Sequence, residues 1–91
     1  MKKSVRVYLT GTVNGMFFKQ FVKENIEKLK LRGFMRDRDD GRMELFLEGE
    51  GDRVKEMVEI LKKEPKHTQI RNVEVKEEKF QDFKEFKVLH I

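Results

Sequence analysis

Apolar and polar positions alternate at the start of the chain. Val5, Val7 and Leu9 lie out of phase with Arg6, Tyr8 and Thr10, which is the period of a strand with one buried face. Gly11 to Met16 reads as a loop carrying two glycines. After it, Phe18, Phe21, Val22, Ile26 and Leu29 share one helical face, while Lys23, Glu24, Glu27, Lys28 and Lys30 point away from it. Gly33 is expected in the loop that closes this helix. Phe34 to Arg38 then reads as extended and runs into Asp39-Asp40-Gly41, where Asp-Gly tolerates the positive φ of a hairpin turn. The return strand is expected from Arg42 to Glu48, with Met43, Leu45 and Leu47 on one side.

Asp52 reads as the N-cap of a second helix, in which Val54, Met57, Val58 and Leu61 recur at helical spacing until Pro65 stops it. Lys66-His67-Thr68 would form the crossover to a strand over Gln69 to Glu78, where Val73 and Val75 alternate with Glu74 and Lys76. Phe86 and Val88, either side of Lys87, suggest a short final strand. The order β-α-β-β-α-β with that extra strand predicts an α+β fold. Its form is a ferredoxin-like split βαβ sandwich, an antiparallel sheet with two helices on one face. At 91 residues the chain is expected to be one domain, 1–91.

Composition narrows the chemistry. With no cysteine, the chain has no disulfide framework, thiolate metal site or thiol nucleophile. His67 and His90 stand apart, without ligand candidates at metal-like spacing, so no metal is expected. Lys and Arg number 21 against 17 Asp and Glu, a net charge of +4. The two signs interleave along both helices, as on a solvated face supported by local ion pairs. No apolar run approaches a membrane span or a signal peptide, so the expected setting is cytoplasmic with no membrane contact.

The loop after the first strand is the feature with chemical content. A strand, a glycine-containing loop and a helix N-terminus together form a recipe for holding an anion, because backbone N–H groups and the positive end of the helix dipole converge there. Gly11 to Phe18 supplies that recipe, and Lys19 would add a point charge to the same place. By itself such a loop is a weak signal, since most turns of this kind only turn.

The run Gly11-Thr12-Val13-Asn14-Gly15-Met16-Phe17-Phe18-Lys19 resembles the first acylphosphatase signature, G-x-V-Q-G-V-x-F-R. A second run, Gly33-Phe34-Met35-Arg36-Asp37 followed by Gly41, Met43 and Gly49, is similar to that family's G-W-V-R-N-x-x-x-G-x-V and its distal glycine. The likeness extends through the Glu-Gly before the second helix and the F-x-V of the last strand. It implies the same fold and the hydrolysis of carboxyl-phosphate anhydrides such as acetyl phosphate, without metal or cofactor. Partners would be a small acyl phosphate, or inorganic phosphate or sulfate. By the resemblance, the backbone of Asn14, Gly15, Met16, Phe17 and Phe18 would cradle the phosphoryl oxygens. A residue at position 19 would clamp them, and one at position 37 would orient the attacking water.

This chain has Lys19 where the family has arginine and Asp37 where it has asparagine. Lysine keeps the charge but loses the planar two-pronged clamp. An ionised aspartate only accepts hydrogen bonds and repels a phosphate. Arg36, Arg38 or Lys19 would have to compensate Asp37. The expectation is therefore a retained anion loop with acyl phosphate hydrolysis impaired or lost. The alternative is an active acylphosphatase, with Lys19 neutralising Asp37 as a general base. Another class on the same fold is an anion-sensing, protein-interaction or RNA-binding module. For RNA, Tyr8 and Phe46 would project from the open face of the sheet, but Glu44 and Glu48 flank Phe46 and no RNA-recognition pattern accompanies it. Nucleic acid is not expected as a partner, and the chain is expected to be a monomer.

Overall fold

The computed structural model describes residues 1–12, 15–63 and 69–89. Along the chain come β1 (Lys2–Thr12), α1 (Met16–Leu29), β2 (Arg32–Asp37), β3 (Met43–Glu50), α2 (Gly51–Lys62), β4 (Gln69–Glu78) and β5 (Phe86–Leu89). The strands form one sheet in the order β4-β1-β3-β2-β5. β1 lies antiparallel to both β3 and β4, and β2 antiparallel to β3, as the split βαβ arrangement requires. β5 joins outside β2 in parallel register, so the sheet is mixed. No helix among the described residues is long and apolar enough to cross a membrane. The predicted helix stop at Pro65, the crossover Lys66-His67-Thr68 and His90 lie outside the described residues.

The odd-numbered residues of the central strands, Val5, Val7, Leu9, Met35, Met43, Leu45 and Leu47, are buried beneath Phe18, Val22 and Ile26 of α1 and Val54, Met57 and Leu61 of α2. This is the face that strand and helix periodicity together predict.

The boundaries differ from expectation where glycine is used inside strands. β1 runs on to Thr12, because Gly11 pairs with Ile70 across a bulge. The first helix closes on Lys30 rather than Gly33. Lys30 takes a left-handed conformation with φ 55°, and the Leu31 N–H donates to the Ile26 carbonyl at 3.0 Å. Gly33 lies within β2 at φ 134°, where a Cβ would come 1.8 Å from the Phe46 carbonyl oxygen. β3 begins at Met43 and continues to Glu50, which is itself the N-cap position of α2. Asp52 accordingly falls in the first turn of that helix, where its charge favours the helix dipole without capping it.

The sheet face turned away from the helices is also covered. Because β4 and β5 are the two edges, their connection must cross four strand spacings, about 19 Å. Residues 79–85 give eight Cα steps from Glu78 to Phe86, a reach of about 26 Å, so they cross with little slack beyond the left-handed residue Asp82 at φ 58°. Phe83 of this strap packs on Phe34 and Phe46, with ring centroids 5.9 and 5.2 Å away. Glu48 pins the strap by accepting the backbone N–H groups of Gln81 and Phe83, the latter at 2.8 Å, while Ser4 Oγ donates to it at 2.8 Å. Phe46, expected to project into solvent, is 1 % exposed beneath Phe83 and Arg6. It has no free ring face on which a base could stack.

Candidate functional site at the start of the first helix

β1 and β2 are both antiparallel to β3 and therefore run in the same direction. Their C-terminal ends lie at one end of the sheet. α1 starts just after β1 ends, and Asp37 is the last residue of β2, so the topology brings the two predicted motifs together. Asp37 follows the parity of the buried Met35 and points to the helix side.

Gly15 is the N-cap of α1, with φ −81° and ψ 159°, and no side chain among the described residues caps the helix. Its first turn carries no acidic residue. The intrahelical ladder begins with the Lys19 N–H, which donates to the Gly15 carbonyl at 3.2 Å. Helix geometry directs the amides of the preceding turn out of this end. Phe18 is 2 % exposed and anchors the turn in the core, whereas Met16 and Phe17 stand largely in solvent. A Cβ on Gly15 would meet nothing within 4 Å. Neither φ nor packing among the described residues demands glycine there. Asn14 lies outside the described residues.

Lys19 sits one turn into α1 and reaches across to β2, with Nζ 3.1 Å from Oδ2 of Asp37. Lys19 is mostly covered and Asp37 is half-exposed, so the pair stands at the rim of the loop. Arg36 and Arg38 do not compensate Asp37. Strand alternation turns both toward the opposite face of the sheet, where Arg36 Nε donates to Glu44 at 2.7 Å and Arg38 Nη1 at 3.1 Å. Arg6 donates to the other oxygen of the same carboxylate. Burial pushes the Glu44 carboxyl up, but hydrogen bonds from Arg36, Arg6 and Arg38 outweigh it and hold the group below the usual carboxylate range. Among the described residues, no group of three or more His, Asp or Glu side chains is arranged to hold a metal ion.

Sequence reading placed Glu44 and Glu48 on the solvent side of β3, yet each is 1 % exposed. The available signal was the recurrence of arginine at positions 6, 36 and 38 on the same face.

The model of the acylphosphatase family matches residues 5–88. The chain belongs to the acylphosphatase family. An acylphosphatase of Rubrobacter xylanophilus is 42% identical over 76 residues, covering 84% of this chain and 69% of that protein. One from Pyrobaculum islandicum is 38% identical, covering 91% of this chain and 90% of the other. The crystal structure of acylphosphatase from Bacillus subtilis superposes with a TM-score of 0.88 at 28% identity, covering 99% of this chain and 100% of that one.

Proposed function

We propose that this acylphosphatase-family domain binds phosphate-bearing ligands at the α1 N-terminus and hydrolyses acyl phosphates poorly or not at all. The observation that carries the reading is the 3.1 Å contact between Lys19 and Asp37. In the proposed arrangement the amides from Asn14 to Phe18 cradle the phosphoryl oxygens, and Lys19 supplies the cation. Asp37 engages that cation, so the anion must compete with a carboxylate for it. Lysine lacks the rigid planar fork that fixes two phosphoryl oxygens in one orientation, and transfer chemistry of this kind depends on such positioning. Asp37 in turn offers no donor to a phosphate oxygen while it accepts from a water.

The test is benzoyl phosphate turnover by the wild-type chain, Lys19→Arg, Asp37→Asn and the double variant, assayed beside an ordinary family member. The double variant is expected to exceed wild type by on the order of 100-fold, the scale of restoring oriented hydrogen bonds to a transition state. Wild-type turnover equal to the ordinary enzyme's would sink the proposal.

The same contact supports one other reading, an active enzyme in which Asp37 is a general base toward water and Lys19 neutralises it. The assay separates the two by sign, because Asp37→Asn alone then abolishes turnover instead of raising it.

A further inference from the structure

Glu44 is a buried carboxylate that the proposed site does not use, and three arginines converge on it. Its Oε1 accepts from Arg36 at 2.7 Å and from Arg38 at 3.1 Å, and its Oε2 accepts from Arg6. Arg6 and Arg38 each have a second, more exposed partner at 3.5 Å, Glu78 and Asp40, so what sets Glu44 apart is its position, a buried carboxylate on which all three arginines meet.

Arg36 and Arg38 are the immediate neighbours of Asp37. Alternation sends them to the outer face while Asp37 points to the helix side, toward Lys19. Asp37 ends β2 just before the turn at Asp39 to Gly41, where a ladder ordinarily frays. The backbone here is closed by the Arg38 N–H donating to the Arg42 carbonyl at 2.8 Å, and by pairing of Asp37 with Met43. Two guanidinium groups tied to a single buried point on β3 then fix the strand on both sides of Asp37. The third arm, Arg6, ties the same carboxylate to β1 and has no covalent path through β2.

We infer that Glu44 is a positioning residue for the anion site: by holding Arg36 and Arg38 on one face of β2, it aims Asp37 at Lys19 on the other. The inference rests on the reading of Lys19 and Asp37 as site residues. It adds that the geometry of their contact is set from across the sheet by a residue that touches neither of them.

The test reads the Lys19 ammonium directly, as its 15Nζ resonance in the full chain without added ligand, assigned by its disappearance in Lys19→Arg. Asp37→Asn defines the signature of a broken pair. Glu44→Gln keeps the side-chain shape but removes the charge. It is expected to move the Lys19 resonance in the same direction as Asp37→Asn, by at least half as much. Arg36→Met and Arg38→Met are expected to do so in part, whereas Arg6→Met, which disturbs the same buried carboxylate from β1, leaves the resonance in place. A folded Glu44→Gln with an unmoved resonance overturns the inference. If that variant does not fold, unmoved resonances in both Arg36→Met and Arg38→Met overturn it, and so does an Arg6→Met shift as large as theirs. Titration of the wild type with inorganic phosphate is a separate arm. No binding there refutes the loop reading, while the Lys19 resonance still decides the role of Glu44.

Discussion

Replacing Asp37 with asparagine isolates the contact that distinguishes this site. The change removes one negative charge from a position 3.1 Å from Lys19 and beside the proposed anion cradle, with almost no change in volume. Two charges about 4 Å apart interact by roughly 1 kcal/mol in water and about 4 kcal/mol at an effective dielectric of 20. Asp37 is 50% exposed and Lys19 22%, which places the pair at the watery end, at about 0.5–1 kcal/mol. At about 1.4 kcal/mol per decade, Asp37→Asn should tighten inorganic phosphate by about 2- to 5-fold. Calorimetric titration at about 10 mM ionic strength measures the gain, and at about 0.5 M it should shrink, because exposed charges are then screened. Phosphate binding no tighter in Asp37→Asn than in wild type would refute the claim that Asp37 competes for Lys19.

Two glycines should answer substitution unequally. Gly33→Ala places a Cβ 1.8 Å from the Phe46 carbonyl at positive φ and should cost at least about 2–4 kcal/mol in urea unfolding, whereas Gly15→Ala meets nothing and should cost under about 1 kcal/mol while weakening phosphate binding. Glu48→Ala strands the partly buried N–H groups of Gln81 and Phe83, at about 1–3 kcal/mol in all, and amide hydrogen exchange should show protection lost at both. Glu44 titrates below its ordinary 4.5 in the folded chain, so its contribution to stability is complete above that pH and disappears as pH falls through the lowered value. Glu44→Gln should therefore be less stable at neutral pH and lose less than wild type on acidification, as unfolding midpoints from about pH 7 to pH 3 would show.

The helix-side half of the fold was legible because both periodicities report burial, and that face is built from Val5, Val7, Leu9, Met43, Leu45 and Leu47 against two amphipathic helices. The other half was not. Glu44, Phe46 and Glu48 have the alternation of a solvated strand face, and only the path of residues 79–85, the register of Arg36 with Glu44 and the diagonal reach of Arg6 from its place opposite Phe46 turn that face into a second interior. Periodicity reports which residues share a face and carries no information about what a distant segment lays across it. Gly11 and Gly33 were read as loop residues for a related reason. Glycine marks a need for unusual backbone or close approach, and both needs arise inside strands here. At the site, the two motifs specified which residues meet. Their order in a split βαβ unit places position 19 near position 37, but the contact between these particular side chains depends on lysine reaching and aspartate attracting it.

In the proposed site, that contact couples Lys19 and Asp37. Under that proposal Asp37 without Lys19 would leave an anion beside an anion site; placed 3.1 Å apart, each supplies the other's countercharge. Such coupling has a measurable consequence. In a double-mutant cycle on unfolding free energy, Lys19→Met and Asp37→Asn should be non-additive by about 0.5–1 kcal/mol, as for a partly exposed ion pair. The same cycle on phosphate affinity should show the opposite pattern, with Asp37→Asn helping only while Lys19 is present. If Asp37→Asn tightened phosphate equally in the Lys19→Met background, Asp37 would be acting by direct repulsion of the ligand. The lysine would then have no part in its effect, and competition for the Lys19 ammonium would no longer account for the site.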